Sequence, residues 1–147
     1  MIEFSTNQPD KNKKYVKRLG AYGIIKSVNN LIAVIKTKTG YFLPGGGIEN
    51  KESPDDCLKR ECREEIGAEI SALDNFAYGN YYFYSTTLNV DMESVGYFFT
   101  CKIDKFSEIK TETDHELIWI NIEQAISLLY LENQREAVRI FKLKNSD

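Results

Sequence analysis

Apolar residues recur along this chain in two rhythms. Runs rich in β-branched and aliphatic side chains, "LGAYGIIKSV" (19–28) and "LIAVIKTK" (31–38), flank Asn29-Asn30 and predict two strands joined as a hairpin. "GYFLPGGGIENKESP" reads as a short apolar strand entering three consecutive glycines and a polar loop. Further on, "NYYFYSTTL" and "SVGYFFTCKI" are strand-like, with turn residues around Gly79-Asn80 and from Asn89 to Glu93, and "LIWI" (117–120) is another short strand. Helical spacing appears twice. The first helix is bounded by Ser53 as a cap, Pro54 at its first position, Asp55 and Asp56 at the positive end of the dipole, and Gly67 as the left-handed stop. The second stretch, 122–144, spaces Ala125, Leu128 and Leu129, then Ala137, Ile140 and Phe141, as one or two closing helices. This order predicts a single α/β domain over 1–147, a mixed sheet flanked by helices, behind a loosely ordered polar leader, 1–17.

Composition narrows the class. With 42% hydrophobic residues in 147, the chain can bury a sizeable core. The longest aliphatic run, Leu31 to Ile35, is far too short to span a bilayer, and "MIEFSTNQPDKNKK" lacks the apolar segment of a secretory signal, so no membrane association and a cytoplasmic location are expected. Cys57, Cys62 and Cys101 form no C-x-x-C pair and read as reduced, small apolar side chains. A net charge of −3 leaves no footprint for bulk nucleic-acid binding. The basic cluster Lys11, Lys13, Lys14, Lys17 and Arg18 reads as a solvated terminus.

The first helix breaks local rules. Leu58, Cys62 and Ile66 make a core-facing arc, yet Glu61 and Glu65 border that arc instead of facing water. Glu61–Glu64 and Glu61–Glu65 repel by about 0.2–0.5 kcal/mol each, and all three acids lie toward the C-terminal end, where the dipole prefers cations. Two readings stand level at this point, an acidic surface without chemistry and a site for a hard divalent cation, the simplest partner for such a cluster; magnesium, which prefers phosphate oxygens as further ligands, would point beside a glycine-rich loop to a phosphate-bearing substrate. "PGGGIENKES" fits neither a P-loop nor a dinucleotide fingerprint, and a lone His115 without a serine elbow speaks against a nucleophilic triad.

The segment Gly46 to Ala68, "GGIENKESPDDCLKRECREEIGA", resembles the Nudix box, G-x5-E-x7-R-E-U-x-E-E-x-G-U with U apolar. Gly46, Glu52, Arg60, Glu61, Glu64, Glu65 and Gly67 match at the required spacings, while Cys62 and Ala68 fill the apolar slots, the first with a smaller side chain than usual. The surrounding strands, and Trp119 three residues after Glu116, resemble a MutT-type member throughout.

The resemblance implies the family's α/β/α sandwich with a mixed β-sheet, and Mg²⁺-dependent hydrolysis of a nucleoside diphosphate linked to a further group, with Mn²⁺ able to substitute. It implies Glu61 and Glu65 as metal ligands, Glu64 as a direct or water-mediated one, and Gly46 at the metal. Glu52 is implied as an orienting partner or outer ligand and Arg60 as the group orienting the carboxylates. The general base is left between the box, at Glu64 or Glu65, and a later loop bearing Glu112, Asp114 and Glu116; Glu116 is carried as a catalytic candidate. Gly45, Gly46 and Gly47 are expected against the pyrophosphate. Tyr84, sixteen residues past Ala68, is expected at the substrate, as in relatives that split dinucleoside polyphosphates, although sheet packing is the commoner role for the tyrosines at 78–84. No proline stands near Ser85 as in ADP-ribose hydrolases, and no SQPWPFPxS tract marks an NADH hydrolase. A nucleoside triphosphate or oxidised purine nucleotide is therefore expected first, with a dinucleoside polyphosphate hydrolase or a non-catalytic nucleotide sensor as alternatives. A homodimer is left open.

Overall fold

The computed structural model describes residues 1–107 and 113–145. In chain order the elements are β1 (Ile2–Ser5), β2 (Val16–Ile25), β3 (Leu31–Lys36), β4 (Tyr41–Phe42), β5 (Gly45–Gly47), α1 (Pro54–Ile66), β6 (Ala68–Ser85), β7 (Val90–Phe106), β8 (Glu116–Asn121), α2 (Ile122–Leu128) and α3 (Glu132–Lys144). The strands form a five-stranded mixed sheet, β1-β6-β7-β2-β5, and a three-stranded antiparallel sheet, β4-β3-β8.

Continuous apolar runs in β2 and β3 follow from burial on both faces. Ile24, Ile32 and Val34 join Phe98, Leu129, Val138 and Phe141 in a core under α2 and α3. Their strand neighbours Ala21, Ile25, Ala33 and Ile35 turn the other way, onto Cys57, Leu58, Cys62 and Ile66 of α1. Helices thus cover both sides of the strands, the expected α/β/α sandwich. Among the described residues no helix is long and apolar enough to cross a membrane.

The boundaries of α1 follow its local chemistry. Ser53 accepts the Asp56 N–H at 3.3 Å, Pro54 opens the helix, and Gly67 closes it at φ 64°. The closing stretch divides into two helices, α2 carrying a capping box between Asn121 and Gln124.

Three expectations change. The predicted hairpin at Asn29-Asn30 survives only at its base, as a Lys26–Ile32 bridge and a Ser27 N–H to Leu31 C=O bond of 2.7 Å. Beyond it β2 runs parallel to β7 from Val16–Met92 to Ile25–Cys101, while β3 pairs with β8, so the two strands part into separate sheets. Gly79-Asn80 is no turn; β6 runs straight through it, and a Cβ at Gly79 would lie 2.2 Å from the Phe4 ring, so glycine there makes room for an aromatic side chain. Phe4 belongs to the leader, which is ordered where looseness was expected. β1 pairs parallel with Ala77–Asn80, Phe4 stacks on Phe98 at 6.0 Å, and the Asn7 amide bonds both the N–H and the C=O of Tyr82.

Candidate active site

The three-residue strand β5 brings the glycines against α1. Gly45 holds φ +139°, and a Cβ there would sit 2.1 Å from the Ala21 carbonyl oxygen. Only glycine tolerates both constraints. Its N–H donates to Glu65 Oε1 at 2.9 Å, tying the loop to the helix. At Gly46 a Cβ would meet the Glu61 carboxyl carbon at 2.6 Å, so the missing side chain leaves room for that carboxylate.

Arg60 organises the acids. Its fork grips Glu52 bidentately, Nε to Oε2 at 2.7 Å and Nη2 to Oε1 at 3.1 Å. Nη1 reaches Glu61 Oε1 at 3.1 Å and Glu64 Oε2 at 3.2 Å, and Nη2 also donates to the Gly47 carbonyl at 3.1 Å. One guanidinium therefore serves three carboxylates, and their rotamers become mutually dependent. The Arg60 hydrogen bond holds the Glu52 carboxyl down at about 2, and the same bond pushes the guanidinium's own pKa further up.

Because the folded-state value of Glu52 lies below its ordinary 4.5, this contact stabilises the fold above about pH 4.5 and stops doing so as pH falls through 2. Thermal unfolding in metal-free buffer should show a melting temperature that falls across this window, and Glu52→Gln should flatten the fall. Parallel profiles for the two proteins would refute the pairing as its cause.

Glu65 is 5% exposed and receives a second contact, His115 Nδ1 at 3.1 Å from Oε2. A cavity of about 460 Å³ opens beside it, with Arg18, Tyr22, Gly45, Gly46, Asp114 and His115 among its walls. Burial pushes the Tyr22 hydroxyl up to about 12, so it stays protonated. A second cavity, about 520 Å³, borders Glu61 and is walled by Lys17, Arg18, Gly47 and Ile48. The two carboxylates, one helical turn apart, thus each face a cleft, and Arg18 stands in the walls of both.

A family model of the NUDIX domain matches residues 18–142. The chain belongs to the Nudix hydrolase family. No curated protein matches it in sequence. Solved structures similar to it include a NUDIX hydrolase from Nitrosomonas europaea, at 14% identity and TM-score 0.70, covering 88% of this chain and 90% of that one. The E. coli dihydroneopterin triphosphate pyrophosphohydrolase is similar at 16% identity and TM-score 0.70, covering 89% and 99%. The MutT protein from Methanosarcina mazei Go1 follows at 18% identity and TM-score 0.69, covering 91% and 99%. At these identities the likeness is one of fold.

Within this Nudix fold the structure gathers Gly45, Gly46, Gly47, Glu52, Arg60, Glu61, Glu64 and Glu65 in one place. It does not bring Tyr84 there. Tyr84 pairs with Asp91 near the tip of the β6–β7 hairpin, is 52% exposed, and bonds Asn89 at 3.3 Å. Asp91 lies six positions along β7 from Tyr97, which is level with Ala21 and Gly46, a separation of about 20 Å. Glu116 is likewise displaced: it opens β8 opposite Lys36, exposed, while its predecessors Asp114 and His115 take the cavity wall. Glu112 lies outside the described residues.

Sequence reasoning passed over His115, Tyr22 and Arg18 in the Nudix site. His115 carried one signal, as the single histidine, set between Asp114 and Glu116 of the suspected acidic loop. Arg18 was absorbed into a basic leader whose last two cations, Lys17 and Arg18, belong to β2 and the cavity walls.

Proposed function

We propose that this Nudix hydrolase cleaves a phosphoanhydride bond of a nucleoside diphosphate derivative, with Mg²⁺ as its metal and Mn²⁺ able to replace it. The observation that supports this most is the placement of Glu61 and Glu65, shielded from bulk water, each beside a cavity and both beside the glycine strand. The donor chemistry fits a hard divalent cation, being all oxygen and rich in carboxylate. Among the described residues no three His, Cys, Asp or Glu side chains form a ready cage. Magnesium keeps several waters and completes its shell with substrate phosphate oxygens, so two carboxylates can serve it. Glu61 and Glu65 would hold it, with Glu64 alongside through Arg60. When bound, magnesium supplies the charge that stabilises the leaving phosphate and favours deprotonation of the attacking water.

The chain's own residues orient and receive. Gly45 N–H and His115 fix Glu65, Arg60 fixes Glu61 and Glu64, and Arg18 offers a cation to the diphosphate between the two clefts. Glu64, held beside Glu61 by Arg60, and Asp114, in the wall of the cleft at Glu65, are the candidates for taking the water's proton, and Glu64→Gln and Asp114→Asn distinguish them by which abolishes turnover at saturating metal. Tyr22, Phe42, Leu43 and Leu131 give the cleft beside Glu65 the apolar surface that a base requires.

A nucleoside triphosphate, including an oxidised purine nucleotide, is the simplest such derivative, and one fold neighbour is named for acting on a triphosphate. The deciding experiment is release of phosphate or pyrophosphate from a nucleotide panel with and without Mg²⁺, products read by mass spectrometry. Metal-dependent release supports the hydrolase. Tight nucleotide binding with no product from any substrate would replace it with a sensor.

A further inference from the structure

The clefts do not end at the carboxylates. A third cavity, about 400 Å³, is walled by Glu3, Ser5, Lys17, Tyr78, Asn80 and Glu93. The register places it on the α1 side of the five-stranded sheet. Ala21, which packs under α1, is level with Tyr97 and so with Tyr78; Leu19 is level with Val95 and so with Asn80. With alternating side chains, Lys17, Glu93, Asn80 and Ser5 share that face. Helix α1 covers the Ala21–Ile25 end of it and leaves this end open.

The three cavities run in sequence. Arg18 is common to the two beside Glu61 and Glu65, and Lys17 is common to the cavity at Glu61 and the third. A cation thus stands at each junction. From Leu19 on β2 to Asn80 on β6 is two strand spacings, about 10 Å. That distance suits one ring attached to a phosphate lying over Glu61.

Charge changes sign past Lys17. The far walls carry Glu3 and Glu93, so a further phosphate there would face two carboxylates. Hydroxyl groups would find the opposite: a carboxylate acceptor, Glu93, whose position the Asn80 amide fixes. Asn80 Nδ2 donates to Glu93 Oε2 at 2.9 Å and to the Tyr82 hydroxyl at 3.3 Å, and Tyr78 packs on Tyr97 with ring centroids 4.7 Å apart. We propose that this third cavity is the subsite for an uncharged, hydroxyl-bearing ring esterified to the distal phosphate, so that the preferred substrate is a nucleoside diphosphate sugar. The proposal rests on the hydrolase reading above but not on a triphosphate as substrate.

The test compares kcat/KM with Mg²⁺ for UDP-glucose, ADP-glucose, GDP-mannose and dTDP-glucose against UTP, ATP, GTP and dTTP. For the best base, the sugar derivative should exceed the triphosphate by about tenfold or more. Asn80→Ala and Glu93→Ala should each reduce that ratio about tenfold, and because both rates come from one preparation, any loss of folded protein cancels. A glucuronate arm, which adds a carboxylate, should be used about tenfold less well than glucose. A preference for triphosphates, or a ratio that neither variant moves, overturns the subsite and leaves the hydrolase standing. Silence on all eight substrates overturns both.

Discussion

Glu65→Gln should lower kcat by about a thousandfold while leaving the fold intact. The substitution is nearly isosteric at a side chain 5% exposed, and it keeps the oxygen that accepts the Gly45 N–H at 2.9 Å. The new amide can donate to neutral His115 Nδ1 across the 3.1 Å contact, so β5 remains tied to α1. What disappears is one negative charge at the proposed ion. Charge stabilisation of that kind is worth several kcal/mol in the transition state, and about 4 kcal/mol is a factor of a thousand. The melting temperature without metal should stay within a few degrees of wild type, and the stabilisation that Mn²⁺ gives the wild-type protein should shrink. Turnover within tenfold of wild type at saturating Mg²⁺ would remove Glu65 from the metal site.

Arg60→Ala should act on stability and activity together. Without the guanidinium, Glu52, Glu61 and Glu64 confront one another, and the Gly47 carbonyl loses its donor. Breaking a partly buried network by removing its cation leaves its partners uncompensated, so the metal-free melting temperature should drop by about 5 °C. Activity should fall by about 10–100-fold, the usual loss when residues supporting metal ligands are removed. Added Mg²⁺ should recover part of the stability, because it replaces the missing charge, and Arg60→Lys should recover less than its charge suggests, because an ammonium cannot reproduce the fork. An unchanged melting temperature with full turnover would remove the orienting role.

The legible parts of this molecule were those fixed by neighbours in sequence. Ser53, Pro54 and Gly67 mark the ends of α1 because capping is a contact over a few residues, and Glu61 and Glu65 border its buried face because helical geometry puts them there. The parallel pairing of β2 with β7 was not legible, since nothing in "LGAYGIIKSV" distinguishes the next apolar run from a partner 76 positions further along the chain. Gly79 misled for the same reason: its signal is that of a turn, and only the distant Phe4 explains it. Tyr84 and Glu116 were placed by resemblance at the substrate. The length of the β6–β7 hairpin carries the first away, and the second opens β8 opposite Lys36, exposed, while the two residues before that strand, Asp114 and His115, line the cleft at Glu65.

Strand β1 is synthesised long before it is able to settle. Ile2–Ser5 has its partners at Ala77–Asn80, and Phe4 needs the groove at Gly79 before it can dock. During synthesis these residues must wait until Ala77–Asn80 has emerged, so the edge of the sheet should zip up late, after the long hairpin exists. A fusion partner attached at Met1 would sit on this seam and could slow refolding while leaving the carboxylates of α1 untouched.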